Sequence, residues 1–283
     1  MIITVASGKG GAGKTSVAVS LALAAGQAVF VDCDVEEPNG ALLLHPHLEW
    51  EEEATLPLPV VDEEKCDYCK ACSQACQFHA IMVLPHKVVV FDKLCHGCGT
   101  CSYVCPKDAI SETTRPIGLI QGGKREGVTY LAGRLNVGEP MAPPLIRQVK
   151  ARIPREAPLV ILDAPPGVAC PFVETLRGSD FCLVVAESTP FGFHDYLLVE
   201  ELLKDLGMPF GVVENKAGLG DDRLRRHLAQ ENIPLLLTLP YNGDWARAYS
   251  LGVPLVEAEP SLSEGFLELL ATLETAHERG QPW

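Results

Sequence analysis

The chain begins with a strand, a glycine loop and a helix in immediate succession, and this order limits its fold more than any other feature. Residues 2–6, IITVA, form a short apolar run of the kind found in strands buried on both faces. Gly8-x4-Gly13-Lys14-Thr15 follows. TSVAVSLALAAG, over 15–26, then predicts a helix closed by Gly26. A second apolar strand, AVFVDCD (28–34), ends on two aspartates. This succession predicts an α/β fold: a mostly parallel sheet flanked by helices. The loop has the form of a phosphate cradle, in which glycines let successive backbone N–H groups converge on oxygens at a helix N-terminus. Gly8, Lys9, Gly10, Gly11, Ala12, Gly13, Lys14, Thr15 and Ser16 are the expected nucleotide contacts. Lys14 supplies charge near the β- and γ-phosphates, and the Thr15 hydroxyl is the expected Mg2+ ligand.

The second constraint is an internal repeat. VDEEKCDYCKACSQACQFHAI (61–81) aligns with VFDKLCHGCGTCSYVCPKDAI (90–110) at a period of 29, all four cysteines coinciding. The runs are Cys66-x2-Cys69-x2-Cys72-x3-Cys76 and Cys95-x2-Cys98-x2-Cys101-x3-Cys105-Pro106, the spacing of two-cluster bacterial ferredoxins. In that pattern the fourth cysteine of each run ligates the other cluster. The expected sets are therefore Cys66, Cys69, Cys72 and Cys105 for one [4Fe-4S] cluster, and Cys95, Cys98, Cys101 and Cys76 for the second. Cys-x2-Cys pairs also bind zinc, but the doubled four-cysteine run favours clusters. Gln77 stands where the second copy has Pro106, which bears on that cluster's potential rather than on ligation. His79, His86 and His96 lie nearby and read as solvated loop residues, since the cysteines saturate both clusters.

Two copies make a small inserted domain of ferredoxin-like α+β type over 57–113, leaving 1–56 and 114–283 for the nucleotide domain. The acidic, proline-containing stretch at 50–65 reads as the boundary, and Gly122-Gly123 as a hairpin turn. Further strands are expected at 157–163, 181–187, 209–215 and 233–240, with helices at 143–153, 194–207, 221–232 and 262–280.

Thirty-seven acidic against 23 basic residues give a net charge of −14, which argues against nucleic acid and against a basic membrane-surface helix. No run approaches the length of a membrane span, and MIITVASGKG lacks a basic leader. A cytoplasmic protein without membrane insertion is expected. Eleven cysteines there point to metal or redox chemistry before disulfides.

KGGAGKT, with its additional Lys9, resembles the deviant Walker A loop of the MinD/ParA/Mrp ATPases and of the nitrogenase iron protein. The resemblance implies that Lys9 reaches a partner subunit's nucleotide, so that ATP joins two copies face to face. VDCDVEEPNG (31–40) resembles the first switch, implying that Asp34 positions the attacking water, with Asp32 helping to organise the Mg2+ shell. The competing reading makes both aspartates caps. VILDAPPG (160–167) resembles the second switch, implying that Asp163 holds Mg2+ through water and that the Gly167 N–H senses the γ-phosphate. ENKAG and LPYN resemble the base-binding segments, with Asn215 at the adenine and Pro240 packed on the base. The absent aspartate of a guanine-reading motif favours ATP. Lys14, Asp34, Lys9 and Asp163 are the expected catalytic residues of a slow, dimer-dependent ATPase.

The whole chain resembles MinD-superfamily ATPases with an inserted ferredoxin domain. Cys170 lies seven residues after Asp163, as does a cluster ligand of the nitrogenase iron protein, implying an interface metal contact; a small core cysteine is the alternative. Cys33 and Cys182 fall in strand patterns and read as core. Three functions stay open: ATP-gated electron transfer through the clusters, a carrier or scaffold for metal cofactors, and a non-redox positioning module.

Overall fold

The computed structural model describes residues 1–279. In chain order, β1 (Ile2–Ala6), α1 (Lys14–Ala25), β2 (Ala28–Asp32) and α2 (Gly40–Leu44) precede a long β3 (His47–Val61). Then come α3 (Ala71–Ala75), β4 (Ile81–Leu84), β5 (Lys87–Val90), a 3-10 turn at Asp92–Leu94, α4 (Thr100–Tyr103), β6 (Ile110–Arg125) and β7 (Val128–Leu135). The rest runs α5 (Pro143–Lys150), β8 (Val160–Asp163), α6 (Cys170–Leu176), β9 (Phe181–Glu187), α7 (Pro190–Asp205), β10 (Phe210–Ala217) and α8 (Arg223–Glu231). It closes with β11 (Leu235–Pro240), α9 (Gly243–Ser250), α10 (Leu255–Ala258) and α11 (Leu262–Arg279).

The large sheet has the order β11-β10-β9-β1-β8-β2-β7-β6-β3. From β11 to β7 the neighbours pair in parallel. β8 lies between β1 and β2, so the first crossover skips one place. Helix α1 is apolar on all sides, and Val17 through Ala22 are fully buried, as a helix enclosed by the fold requires. It packs against the sheet and against α10 and α11. Gly26 closes it in the left-handed conformation, its N–H donating to Leu23 O.

One sequence expectation is refined and another corrected here. The boundary between two compact units does fall within 50–65, between Glu51 and Glu52, but 50–61 belong to β3. That strand is last in the sheet order, and an edge strand tolerates Pro57 and Pro59, whose missing N–H groups need no ladder partner. Gly122-Gly123 is not a turn. Both lie inside β6, and the turn is Glu126-Gly127, with Glu126 at φ 49°. A Cβ on Gly122 would sit 2.2 Å from the Trp50 indole, so close packing explains this glycine.

The chain divides into two compact units. One comprises Met1–Glu51, Ile120–Arg134 and the chain from Ile146 on; the second comprises Glu52–Leu119 and Leu135–Leu145. Among the described residues no helix is long and apolar enough to cross a membrane.

In the second unit the 29-residue repeat reappears in the backbone. Lys70 and Gly99 both take left-handed conformations (φ 68° and 72°) before α3 and α4, as do Tyr68 and Gly97 (φ 56° and 62°). Ala80 N and Ala109 N each donate to the fourth sulfur of their own run, at 3.3 Å. The copies also exchange backbone bonds reciprocally, Phe91 N to Ala80 O and Asp62 N to Ala109 O. Such reciprocity makes a pseudo-twofold unit around the antiparallel β4–β5 hairpin.

Candidate functional site

The first candidate site lies in the first unit, where the chain leaves the C-terminal ends of β1, β2, β8 and β10. Crevices at this edge of parallel sheets are where ligands bind, because loops and helix N-termini converge there. Ser7, Lys9, Gly10, Gly11, Gly13, Lys14, Thr15, Ser16 and Asp34 line one hollow, together with Asn39 and Pro166. Lys14 and Thr15 start α1, and Gly13, its cap residue, has φ 93°. A Cβ on Gly13 would lie 2.1 Å from Asn215 Nδ2, so no side chain fits. Asn215 Nδ2 donates to Ala12 O at 2.8 Å, and Lys216 Nζ to Gly11 O at 2.7 Å. The end of β10 thus grips the phosphate loop through two consecutive carbonyls.

Lys14 Nζ reaches Asp163 Oδ1 at 2.6 Å, and both side chains are buried. Burial disfavours the ammonium, but the Asp163 carboxylate outweighs it and raises the Lys14 pKa. Asp163 Oδ2 is buried and makes no hydrogen bond. An unpartnered carboxylate oxygen, on a side chain whose charge is felt at Asp34, has the chemistry of a Mg2+ ligand. Asp32 follows the capping alternative: its two oxygens accept from Asp34 N (3.1 Å) and Gly40 N (2.8 Å). It is fully buried, and desolvation, reinforced by Asp163, pushes its pKa up to about 7. Burial also pushes Asp34 up to about 6, against the pull of Lys14. Gly167 is brought to the loop, but its N–H donates to Ser7 O at 3.0 Å.

A second hollow, of about 250 Å3, adjoins the loop. Asn215, Pro240, Tyr241, Trp245 and Tyr249 are among its walls. The sequence reading placed Asn215 and Pro240 there but missed α9, which supplies Trp245 and Tyr249. Its signal was Asn242, whose side chain caps α9 by accepting from Asp244 N and Trp245 N. Also missed was Glu187, at the end of β9, whose carboxylate takes Lys9 Nζ at 2.7 Å and Lys216 Nζ at 2.5 Å.

The second candidate site is in the second unit. One hollow gathers Cys66, Cys69, Cys72 and Cys105, with Tyr68, Lys70 and Lys107 at its walls. A separate hollow gathers Cys76, Cys95, Cys98 and Cys101, walled by Phe78 and His96. The sulfurs receive N–H bonds from Ala80, Gly97 and Ala109. Among the described residues no three His, Cys, Asp or Glu side chains close around a single ion position. His96 stacks on Phe78 with centroids 3.5 Å apart, and His86 meets Tyr68 edge-on. His79, His86 and His96 are all exposed.

Cys33, just past the end of β2, and Cys182, within β9, are fully buried. Cys170 is exposed at the start of α6, which removes the core alternative for it.

A glycine loop between a parallel strand and a buried helix, with Lys14 and Asp163 across it, defines a P-loop nucleotide-binding protein. The sequence profile of the CobQ/CobB/MinD/ParA nucleotide-binding domain matches residues 3–255, and the chain belongs to this family as a MinD/ParA-type ATPase. An uncharacterized protein of Methanocaldococcus jannaschii is 31% identical over 280 residues, covering 97% of this chain and 96% of that one. The Escherichia coli hydrogenase-4 component A is 34% identical over 113 residues, 39% of this chain and 51% of that protein. In fold, the chain is similar to the septum site-determining protein MinD of Pyrococcus horikoshii, solved with Mg-ADP. The TM-score is 0.58 at 18% identity, over 96% of this chain and 95% of that one.

Proposed function

We propose that this ATPase couples nucleotide-dependent dimerisation to electron transfer through two [4Fe-4S] clusters held by an inserted ferredoxin-like domain. The observation that carries the reading is the partition of eight cysteines into two hollows. Each hollow draws three sulfurs from one repeat and the fourth from the other, as interleaved cluster ligation requires. A small apolar cluster of the second unit, Cys72, Ile81 and Val88, has Cys66, Cys76 and Cys101 packed against it, so bound cofactors would also staple this part of the fold. Bound there, the clusters supply one-electron chemistry, while the N–H groups of Ala80, Gly97 and Ala109 tune the sulfurs. The likeness to a hydrogenase component supports a redox setting.

At the nucleotide, the loop N–H groups cradle the phosphates, and Lys14 turns from Asp163 toward them. Thr15 directly and Asp163 through water would hold Mg2+, which would neutralise phosphate charge, and Asp34 orients the attacking water. Lys9 adds charge from the partner subunit, so hydrolysis needs two chains. This places the nucleotide at a homodimer interface. Cys170, exposed next to the second switch, is placed by this reading at the same interface.

Two other readings remain. In one, the clusters or a metal cofactor are cargo delivered to another metalloprotein, and exposed Cys170 favours it. In the other, the MinD-like fold serves ATP-dependent positioning without redox chemistry. The test is the reconstituted protein, reduced, with ATP or a non-hydrolysable analogue and an electron acceptor. ATP-dependent acceptor reduction is expected. Iron-sulfur transfer to an apo-protein without acceptor reduction points to the carrier, and dimerisation with neither effect points to the positioning module.

A further inference from the structure

Lys9 does not project freely from its loop. Its ammonium lies 2.7 Å from Glu187 Oε2, while Lys216 occupies Oε1 of the same carboxylate at 2.5 Å and also donates to Gly11 O. The carboxylate is only 8% exposed, whereas the two lysine side chains are 31% and 36% exposed. A buried carboxylate between two half-exposed cations makes an asymmetric arrangement. Either lysine can leave toward solvent, but Glu187 cannot be left without a cation at small cost. The two lysines are also anchored differently. Lys216 keeps a second bond to the loop and sits in the left-handed conformation (φ 55°), a position held by its surroundings. Lys9 has its backbone carbonyl tied to Ser7 Oγ, while its ammonium is held by Glu187.

We propose that Glu187 is a positioning residue that latches Lys9 in cis in the separate subunit, with Lys216 as the cation that stays behind when the latch opens. The inference rests on the reading that Lys9 acts across a dimer. Closing the dimer breaks one Lys9–Glu187 pair in each chain. Because Lys216 remains on Glu187, the opened latch leaves no unpaired buried charge. The latch therefore sets how much nucleotide-derived free energy is needed before two chains join. It also keeps Lys9 from neutralising phosphate charge within its own chain, so a lone subunit keeps its nucleotide unhydrolysed.

The two residues facing Lys9 and Glu187 give predictions of opposite sign, which a merely structural role would not. Glu187→Gln weakens the latch, whereas Lys216→Gln leaves Glu187 dependent on Lys9 alone. The full-length, cluster-reconstituted protein is titrated by analytical ultracentrifugation with Mg2+ and a non-hydrolysable ATP analogue. Fluorescent-nucleotide affinity is measured at monomer concentrations, to separate binding from assembly. Relative to wild type, Glu187→Gln is expected to lower the dimer dissociation constant about tenfold, and Lys216→Gln to raise it by a similar factor. Should Glu187→Gln fail to fold, Glu187→Asp carries the same expectation, since a carboxylate shortened by one methylene cannot span both lysines. Equal dimerisation of wild type and the Glu187 variant, or shifts of the same sign in both variants, overturns the latch. The underlying reading fails separately, if wild type does not dimerise with the analogue or if Lys9→Ala dimerises as well as wild type.

Discussion

Lys14 and Asp163 form a buried ion pair across the phosphate loop, Nζ to Oδ1 at 2.6 Å, while the second Asp163 oxygen has no partner. One lysine thus compensates a carboxylate at the heart of the sheet and is also the group expected at the phosphates. Lys14→Met should lower ATP hydrolysis at least about a hundredfold. It should also destabilise the fold by about 3 kcal/mol, because it leaves a buried carboxylate unpaired. Phosphate release and urea unfolding measure the two effects. Adding Asp163→Asn should restore much of the stability and none of the hydrolysis. A double variant no more stable than Lys14→Met would mean that the pair does not hold the loop.

The interleaved ligand sets make a prediction that sequence order alone would reverse. Wild type should carry about eight irons per chain. Cys72→Ala with Cys105→Ala strikes one hollow and should leave about four. Cys72→Ala with Cys76→Ala strikes both hollows, although the two residues share one run, and should leave almost none. Iron and sulfide analysis with electron paramagnetic resonance decides the matter; four irons in the second variant would indicate ligation run by run.

The repeat places left-handed residues at equivalent positions, but only the second copy uses glycine. Gly99→Ala should therefore cost about 1 kcal/mol in guanidinium unfolding of the reconstituted protein. Lys70→Ala should change stability by less than about 0.5 kcal/mol, since Lys70 already bears the Cβ. Equal losses at both positions would show that φ is not what separates them.

Away from both sites, Glu200 is buried and bonded to Lys204 and His227, each at 2.7 Å. Burial pushes its carboxyl up, but the hydrogen bonds with Lys204 and His227 prevail and hold it below its ordinary 4.5. A depressed carboxylate contributes stability above its unfolded pKa and loses it as pH falls through the folded value. Glu200→Gln should cost about 2 kcal/mol at neutral pH and flatten the decline in stability below about pH 5. Unfolding free energies measured across that range test it; parallel curves for variant and wild type would contradict it.

The glycine loop, the strand-end aspartates and the cysteine spacings were legible because each depends on a few residues close in sequence. The loop's curvature comes from its own glycines. The repeat announces itself through its 29-residue period and returns in the paired φ values of Tyr68 with Gly97 and Lys70 with Gly99. What misled the reading was context. Gly122 resembled a turn, but Trp50 packs on it, and Pro57 and Pro59 marked a boundary stretch without revealing that it is also the edge strand β3. Propensity describes a residue alone, whereas strand position and close packing are set by distant segments.

The sequence by itself determined that a phosphate loop opens a parallel sheet and that eight cysteines form two equivalent runs. Tertiary structure alone decided that Asp32 caps the α2 turn and that Lys9 rests on Glu187, 178 positions further along the chain. The reason is physical. Local motifs fix backbone shape over a few residues, but a charge finds its partner only when the sheet order brings strand ends together, and that order is a property of the whole fold.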